Sequence, residues 1–408
     1  MRQSCAMIFF VLAIASLTPT CLSFFDAAAT CFGAESKSKA VAVSVPSTKK
    51  QGDNKVIPAT SELFGKTKEG QNVIIWTLKN ANGTTAKILN FGGVLYSLEI
   101  ADRQGKFENV SANLKTVPEY QANRPFFGSL VGRYGNRIAK GKFKLDGKTY
   151  SLPINNGKNA LHGGLKGFDQ VLWNVTPFER ENGVGLKLEY TAKDGEEGYP
   201  GNLTVVVKYI LTNDDELVID YTATTDAPTV LNLTNHTFWN LGGSKSGSIL
   251  DHKVHLGATH YLPTDATLIP TGEVLPVDGT PLDFRTPKTI GRDIAKVTQP
   301  QFNGGYDHCL VLEEKKPGEL TFCAQVEDPK SGRIMEIWTT EPAVQFYTGN
   351  FLNGSTGVDG YKYEKHSAFC LETQHYPDSP NQPQFPNVVL RPGEVYRHTT
   401  IHKFSVNK

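Results

Sequence analysis

The sequence predicts an all-β fold, a large sandwich of antiparallel sheets. Three stretches alternate apolar and polar residues on both sides of a short polar turn, which is a strong signal for a β-hairpin. No long stretch carries a sustained helical period, and the body is long enough to favour a large sandwich over a small barrel. The hairpins are residues 142–152 around Asp146-Gly147, residues 172–192 around Asn182-Gly183, and residues 203–225 around Asn213-Asp214-Asp215.

Two further stretches predict strands at either end of the body. Residues 72–78, NVIIWTL, are β-branched and aromatic, as strands commonly are. Near the other end, the apolar run Ala368–Leu371 predicts a buried strand that stops at Glu372. The prolines that follow, at 377, 380 and 383, form neither helix nor ladder, so we expect them to fix the loop after the carboxylate.

The first 34 residues have the order of a secretory signal peptide. Arg2 precedes an apolar run at 7–17, and alanines follow at 27–29. This run is about half of the roughly 20 residues that cross a bilayer, so cleavage is favoured over a membrane anchor. We predict a signal peptide over 1–34, a flexible linker over 35–59 and a catalytic domain over 60–408. The protein is expected to be exported, to the periplasm or the outside of the cell, without stable membrane association after cleavage.

Charge and cysteine content exclude several classes of partner. The chain has 42 Lys and Arg against 41 Asp and Glu, a net charge of +1, so it lacks the basic footprint of a nucleic-acid-binding protein. Three of the six cysteines lie in or beside the leader, and Cys309, Cys323 and Cys370 lie in the body without CxxC spacing. These three predict buried free thiols, not a disulfide framework or a zinc site.

Polar clusters interrupt the strands at six places, and each carries residues able to do chemistry. Any one has an ordinary structural explanation, such as a histidine in a glycine-rich loop or an aspartate that caps a turn. Together they predict a polar site built from strand ends and turns. The candidates are Asn136 and Arg137 in GRYGNRI, His162 in LHGG, His236 in LTNH, Asp307 in GYDH, Gln345 in VQFYTGN, and Glu372 in LETQ.

Motifs of other chemistries are missing from the sequence. There is no HxH or HExxH metal spacing, no GxSxG elbow, no P-loop and no dinucleotide fingerprint in a strand-to-helix context. The sequence therefore predicts acid–base chemistry without metal or cofactor on a neutral polyhydroxylated molecule, since Asn, Asp, Arg and Gln suit hydroxyl groups. Phe238, Trp239 and Phe346 are candidates to stack on a sugar face.

The six motifs, in this order, resemble the aldose 1-epimerase family, also called galactose mutarotases. The resemblance runs from about Thr60 to His402, essentially the whole body. It implies a β-supersandwich with an open sugar cleft and interconversion of the α and β anomers of hexoses such as galactose and glucose. The expected partners are small aldose sugars, no cofactor is implied, and we expect a monomer.

The resemblance also implies roles for individual residues. Glu372 corresponds to the general base, which takes a proton from the anomeric hydroxyl as a carboxylate. His236 corresponds to the general acid, which protonates the ring oxygen as an imidazolium, and Arg137 would stabilise negative charge there. The expected sugar-binding residues are Asn136, Arg137, His162, Thr237, Phe238, Asp307 and Gln345.

Four alternatives remain open from the residues themselves. A glycoside hydrolase would pair Glu372 with Asp307, but leaves His236 without a role. A sugar-binding protein would keep the hydroxyl-binding residues and need no base. A relative acting on hexose 6-phosphates would need extra cations, for which Arg133 and Lys140 are candidates. Polysaccharide lyases share the broad architecture.

Overall fold

The computed structural model describes residues 56–407 except 123–124, 314–315, 317 and 359. The predicted signal peptide and nearly all of the predicted linker lie outside the described residues. Within the described residues the one α-helix, α1, spans Val117–Ala122. No helix in this part of the chain is long and apolar enough to cross a membrane.

Strands make up most of the regular structure, which confirms the all-β prediction. In chain order they are β1 Thr60–Lys66, β2 Asn72–Lys79, β3 Thr85–Leu89, β4 Leu95–Ala101, β5 Phe107–Asn109, β6 Leu130–Val131, β7 Arg137–Ile138, β8 Lys142–Leu145, β9 Lys148–Ser151, β10 Ala160–Leu161, β11 Asn174–Arg180, β12 Gly183–Ala192, β13 Leu203–Thr212, β14 Glu216–Thr225, β15 Thr229–Val230, β16 Thr234–Asn235, β17 Lys253–Leu256, β18 Ala258–Tyr261, β19 Leu275–Pro276, β20 Lys288–Thr289, β21 Asp307–Leu312, β22 Thr321–Glu327, β23 Arg333–Thr339, β24 Ala343–Tyr347, β25 Ser355–Thr356, β26 Lys362–Tyr363, β27 Cys370–Gln374, β28 Val389–Leu390 and β29 Tyr396–Val406. Single-turn 3₁₀ helices link some of them, at Ala139–Gly141, Phe168–Gln170, Glu196–Gly198, Ile290–Arg292, Ile294–Lys296, Pro300–Phe302 and Ser379–Asn381.

Three sheets form the body, and their strand pairings are antiparallel. The largest has the order β11-β12-β13-β14-β29-β23-β22-β17-β20, and two five-stranded sheets have the orders β1-β2-β3-β4-β5 and β19-β18-β21-β24-β27. Apolar side chains from all three meet in one core, for example Leu98, Val205 and Leu310. The sheet that ends in β24 and β27 carries three of the predicted site residues, so its pleat decides where they point.

The three predicted hairpins are confirmed, one with a shifted turn. At the β8–β9 turn Asp146 and Gly147 both have positive φ, at 48° and 81°, as the two-residue turn requires. The β13–β14 turn contains Asp215 at φ 58°. In the β11–β12 hairpin the pairing of Arg180 with Gly183 puts the turn one residue earlier than expected, because Gly183 already belongs to the second strand.

The predicted end of the strand at Glu372 is wrong, because β27 continues through Gln374. The polar residues stay in the ladder since each pairs with β24, from Ala343 opposite Gln374 to Tyr347 opposite Cys370. Regular pairing ends before Pro377, which lacks the backbone N–H that a ladder needs. Glu372 is therefore a mid-strand carboxylate on a rigid element.

Two of the three predicted stacking aromatics belong to the core instead. Trp239 packs against His402 and Phe404, and Phe346 packs against Phe284 and Tyr306. Both are buried in the main apolar cluster, so neither reaches a ligand.

The body cysteines are as the sequence predicts. Cys309, Cys323 and Cys370 are free and buried. Burial raises the pKa of each thiol, which keeps them protonated at neutral pH.

Candidate active site

A cavity of about 440 Å³ opens beside β24 and β27, and eight of the nine predicted site residues line it. They come from distant parts of the chain: Asn136, Arg137, His162, His236, Phe238, Asp307, Gln345 and Glu372. The sequence reasoning missed several other lining residues, which are Pro125, Phe126, Asn156, Leu161, Leu268, Tyr347, Phe351, Leu352, Asn353 and Ser355.

The pleat of the five-stranded sheet turns three site residues toward the cavity. Gln345 on β24 lies directly opposite Glu372 on β27, and Asp307 on β21 lies opposite Tyr347 two residues along β24. Since side chains alternate along a strand, these four share one face, while the intervening Leu371 belongs to the apolar core. Gln345 Nε2 donates to Asp307 Oδ1 at 2.6 Å, so these two side chains hold each other in place.

His236 reaches the same face from the segment after β16. Its backbone N–H donates to the Ser129 carbonyl, and its own carbonyl accepts from Gly128. The ring lies with Nε2 3.5 Å from Glu372 Oε1 and with Nδ1 3.6 Å from Cys370 Sγ. The predicted acid and base are therefore neighbours. A buried thiol, for which the sequence analysis predicted no role in the site, contacts the other ring nitrogen.

His162 and Asn136 occupy left-handed backbone conformations in the cavity wall. Their φ angles are 49° and 63°, a region that costs non-glycine residues of order 1–3 kcal/mol and is concentrated at functional sites. The backbone N–H of Asn136 donates to His162 Nδ1 at 3.1 Å. Because that nitrogen must accept, neutral His162 carries its proton on Nε2 and is a hydrogen-bond donor there. A side chain on Gly163 would collide with the Gly132 carbonyl, which accounts for the glycine in LHGG.

Arg137 is buried and is held by amide oxygens. Its Nε donates to Asn156 Oδ1 at 3.1 Å. The proline-rich segment supports it, since the backbone N–H of Asp378 donates to the Arg137 carbonyl and the Asp378 carboxylate accepts from the Ala139 N–H at 2.9 Å. The loop after β27 thus fixes the segment that carries Arg137. The same loop begins just after the strand that carries Glu372.

Thr237 does not line the cavity. Its neighbours His236 and Phe238 both do, so the alternation along an extended segment turns Thr237 the other way, and its hydroxyl donates to the Asn235 side chain. Phe126 joins Phe238 in the aromatic part of the cavity wall, and its ring centroid lies 4.7 Å from that of His162 and 5.7 Å from that of His236. The sequence offered no signal for Phe126, since it lies outside the six motifs.

Burial dominates the electrostatics of the acid–base pair. Burial, with a smaller contribution from Asp307, raises the pKa of Glu372 well above its usual range, and Arg137 opposes this. Burial lowers the pKa of His236 to about 4. Both directions favour the uncharged pair in the free protein, whereas the sequence analysis expected the ionic pair. The two forms hold the same number of protons and differ only in where one proton lies.

Two acceptor atoms in the cavity have no hydrogen-bond partner among the described residues. They are Glu372 Oε2 and Gln345 Oε1, both buried. Leaving a buried acceptor unpaired costs roughly 1–3 kcal/mol, so these two atoms are available to accept hydrogen bonds from a ligand in the cavity. Hydroxyl groups provide donors of this kind.

Three of the cavity residues lie close enough together to hold a cation. One ligand atom from each of His162, His236 and Glu372 lies within 4.8 Å of the others. Residue spacing does not predict this cluster, because its three residues come from separate segments of the sequence. Two of the three residues, His236 and Glu372, are also the predicted acid and base.

Known proteins of one family resemble this chain in sequence. The profile of the aldose 1-epimerase family matches residues 75–403. The chain is 47% identical to galactose mutarotase of Rattus norvegicus over 352 residues, 86% of this chain and 100% of that protein. It is 35% identical to aldose 1-epimerase of Escherichia coli K12 over 82% of this chain and 96% of that protein.

Solved structures share the fold. An aldose epimerase homologue from C. elegans superposes with a TM-score of 0.74 at 30% identity, covering 81% of this chain and 98% of that one. A galactose 1-epimerase from Lactobacillus acidophilus also gives 0.74, at 28% identity over 86% of this chain and 99% of that one. The predicted supersandwich is confirmed, and the chain belongs to the aldose 1-epimerase family.

Proposed function

We propose that this protein is an aldose 1-epimerase that interconverts the α and β anomers of hexoses such as D-galactose and D-glucose by opening and closing the sugar ring. The observation that carries the proposal is the 3.5 Å contact between His236 Nε2 and Glu372 Oε1 inside the cavity. The two oxygens on the anomeric carbon of a pyranose are close neighbours, so an adjacent acid and base serve both at once.

Ring opening needs one proton removed and one delivered. Glu372 as carboxylate takes the proton of the anomeric hydroxyl while His236 as imidazolium protonates the ring oxygen. The aldehyde forms, the C1–C2 bond rotates, and the ring closes on the other face of the carbonyl with the two roles reversed. Each group is thereby restored after one conversion.

The number of protons that Glu372 and His236 hold together fits this cycle. Opening converts the ionic pair of Glu372 and His236 into the uncharged pair, and closure reverses it. Burial favours the uncharged pair, while the positive charge of Arg137 opposes the rise of the Glu372 pKa. The opposing effects reduce the energy difference between the two forms, which a reaction run in both directions requires.

The alternatives of the sequence analysis fit less well. Arg133 donates to the carbonyls of Pro200 and Gly201. Neither Arg133 nor Lys140 lines the cavity, so the two extra cations considered for a phosphate are not in it. A glycoside hydrolase would need Asp307 for chemistry, but Gln345 binds that carboxylate. A binding protein would not need His236 beside Glu372.

Polarimetry on freshly dissolved sugars tests the proposal. A panel of galactose, glucose, xylose and arabinose in the pure α form should relax to anomeric equilibrium much faster with protein than without it. Release of reducing ends from an oligosaccharide, or sugar binding without faster relaxation, would contradict the proposal. The panel also ranks the aldoses.

The pH dependence follows from the shifted pKa values. The catalytically competent pair of His236 and Glu372 holds one proton between its two members. On the acidic side kcat/KM falls when His236 takes up an additional proton, with a pKa of about 4. On the basic side it falls when the pair loses its one proton, above the raised pKa of Glu372. We expect an acidic limb near pH 4 and a basic limb above the usual range of a carboxyl group, after subtraction of the uncatalysed rate at each pH. An acidic limb centred near 6.5, the value of an unperturbed histidine, would contradict this assignment.

Replacement of Arg137 should impair both binding and catalysis. In Arg137→Ala the buried positive charge beside Glu372 is lost, and we expect kcat/KM to fall about 10²–10³-fold, the size seen when one charge-stabilising donor is removed. Both kcat and KM should change, as measured by polarimetry over a range of galactose concentrations. Arg391→Ala, which breaks an exposed ion pair with Asp146, is the control; equal effects of the two substitutions would contradict the role.

The site of action is a separate part of the proposal. The pattern of Arg2, the apolar run at 7–17 and the alanines at 27–29 supports export through a cleaved signal peptide. As a separate part of the proposal, the mature protein is a soluble monomer. N-terminal sequencing of protein from the culture medium or periplasm should begin between residues 24 and 35. An intact N-terminus on cytosolic protein, or a dimer by light scattering, would contradict export or the monomer respectively.

A further inference from the structure

A second cluster of two histidines and a carboxylate lies outside the sugar cavity. Glu341 follows β23, His375 follows β27 and His398 belongs to β29, and one ligand atom from each lies within 4.8 Å of the others. Glu341 Oε2 is 2.7 Å from His375 Nδ1, and its Oε1 is 3.2 Å from His398 Nδ1. None of the three lines the cavity that holds Glu372.

The carboxylate of this cluster is buried without a permanent cation. The Glu341 side chain is 2% exposed, and within the described residues its ion-pair partners are His375 and His398, which are charged only when protonated. A buried negative charge without a matching cation is costly.

The groups around the cluster resemble the outer shell of a metal site. The Tyr396 hydroxyl donates to Glu341 Oε1 at 3.1 Å. Such contacts orient metal ligands and raise their affinity. The rings of His375 and His398 meet edge to face with centroids 5.0 Å apart.

The cluster is open to solvent on one side. A cavity of about 280 Å³ is lined by Glu341, His375 and His398 together, and the two histidine side chains are 12% and 18% exposed. An ion therefore has a path to the ligand atoms, and a water molecule has space to complete its coordination.

We propose that Glu341, His375 and His398 bind one divalent transition-metal ion, with zinc as the best match. Two imidazole nitrogens and one carboxylate, with water in the fourth position, are a ligand set that zinc accepts. Tetrahedral zinc with bonds of about 2.0–2.1 Å sets its ligand atoms about 3.3 Å apart, and the three ligand atoms here lie within 4.8 Å of one another. The ion replaces the contacts of the two Nδ1 atoms with the carboxylate and compensates its buried charge.

The position of the cluster gives the ion a stabilising role. It joins the end of β27, three residues beyond Glu372, to β29 and to the turn between β23 and β24. An ion that binds the folded but not the unfolded chain raises the melting temperature. Because the ligands lie outside the sugar cavity, the metal is not needed for anomer exchange.

Zinc titration of the metal-free protein against a chromophoric chelator tests the proposal. Saturating galactose keeps zinc out of the sugar cavity, where His162, His236 and Glu372 also converge. We expect one zinc per chain and a raised melting temperature, both in the wild type and in His236→Asn, which removes a ligand of that other trio. The variant with His375→Ala and His398→Ala should bind zinc at least about 100-fold more weakly.

Control variants separate the site from general effects of histidine content or folding. His255→Ala removes a histidine of β17 outside the cluster and should bind zinc as the wild type does. Should the double variant fail to fold, the single variants His375→Gln and Glu341→Gln serve instead, with mutarotation confirming that they are folded, and each should weaken binding at least about tenfold. A wild type that takes up no zinc at micromolar concentration, or cluster variants that bind as tightly as the wild type, would overturn the proposal.

Discussion

Glu372→Gln should reduce kcat for anomer exchange by about 10²–10⁴-fold, the usual contribution of one positioned base. The amide keeps the shape of the side chain but cannot accept the proton of the anomeric hydroxyl. Sugar affinity should change only a few-fold, because the other residues of the cavity wall still bind the hydroxyls. Polarimetry on α-D-galactose gives kcat, and calorimetric titration with the same sugar gives affinity.

The matched control for this variant is Glu189→Gln, which changes a half-exposed glutamate of β12 paired with Lys187. It should exchange anomers at the wild-type rate. The Glu372 variant should also keep its melting temperature, since it removes a buried carboxyl whose charged form burial disfavours. A rate within a few-fold of wild type would show that another group is the base.

His236→Asn should cause a loss of kcat of similar size, because ring opening then lacks the acid that protonates the ring oxygen. The imidazole also separates Phe126 from Phe238 in the cavity wall, so some loss of affinity accompanies the loss of rate. Measuring kcat at saturating sugar isolates the chemical contribution.

His255→Asn, which alters a histidine ring packed on Phe322 away from the cavity, controls for loss of an imidazole. It should leave the rate unchanged. If the His236 variant kept the wild-type kcat and lost only affinity, the ring would be a binding group and the acid would have to be another residue.

Most of the fold could be predicted from local sequence because hairpins are encoded locally. Asp146-Gly147 adopts the positive φ angles that such a turn requires, and its strands pair as the alternation predicts. The error at Glu372 has the opposite cause: its place in mid-strand depends on pairing with β24, whose residues lie about 27 positions earlier. Single-sequence patterns do not report such long-range pairing.

Eight of the nine predicted site residues line one cavity, whereas the protonation and geometry of the site could not be predicted from the sequence. The polar side chains of six sequence motifs pointed to these residues, because the recognition of hydroxyl groups calls for such side chains. Phe126 lines the cavity without having been predicted, and Thr237 was predicted but does not line it, because side-chain direction depends on the fold around each residue. The uncharged preference of the Glu372 and His236 pair comes from burial, which only the packed structure reveals.

A double-mutant cycle on Glu372 and His236 tests most directly whether the two transfer protons as one unit. Rates of α-to-β exchange for wild type, Glu372→Gln, His236→Asn and the double variant are measured at saturating galactose by magnetisation-transfer NMR. Groups that act together are strongly non-additive, so the double variant should be about as slow as the slower single variant. Losses that multiply, giving a double variant slower than either by the full product, would contradict the paired proton transfer.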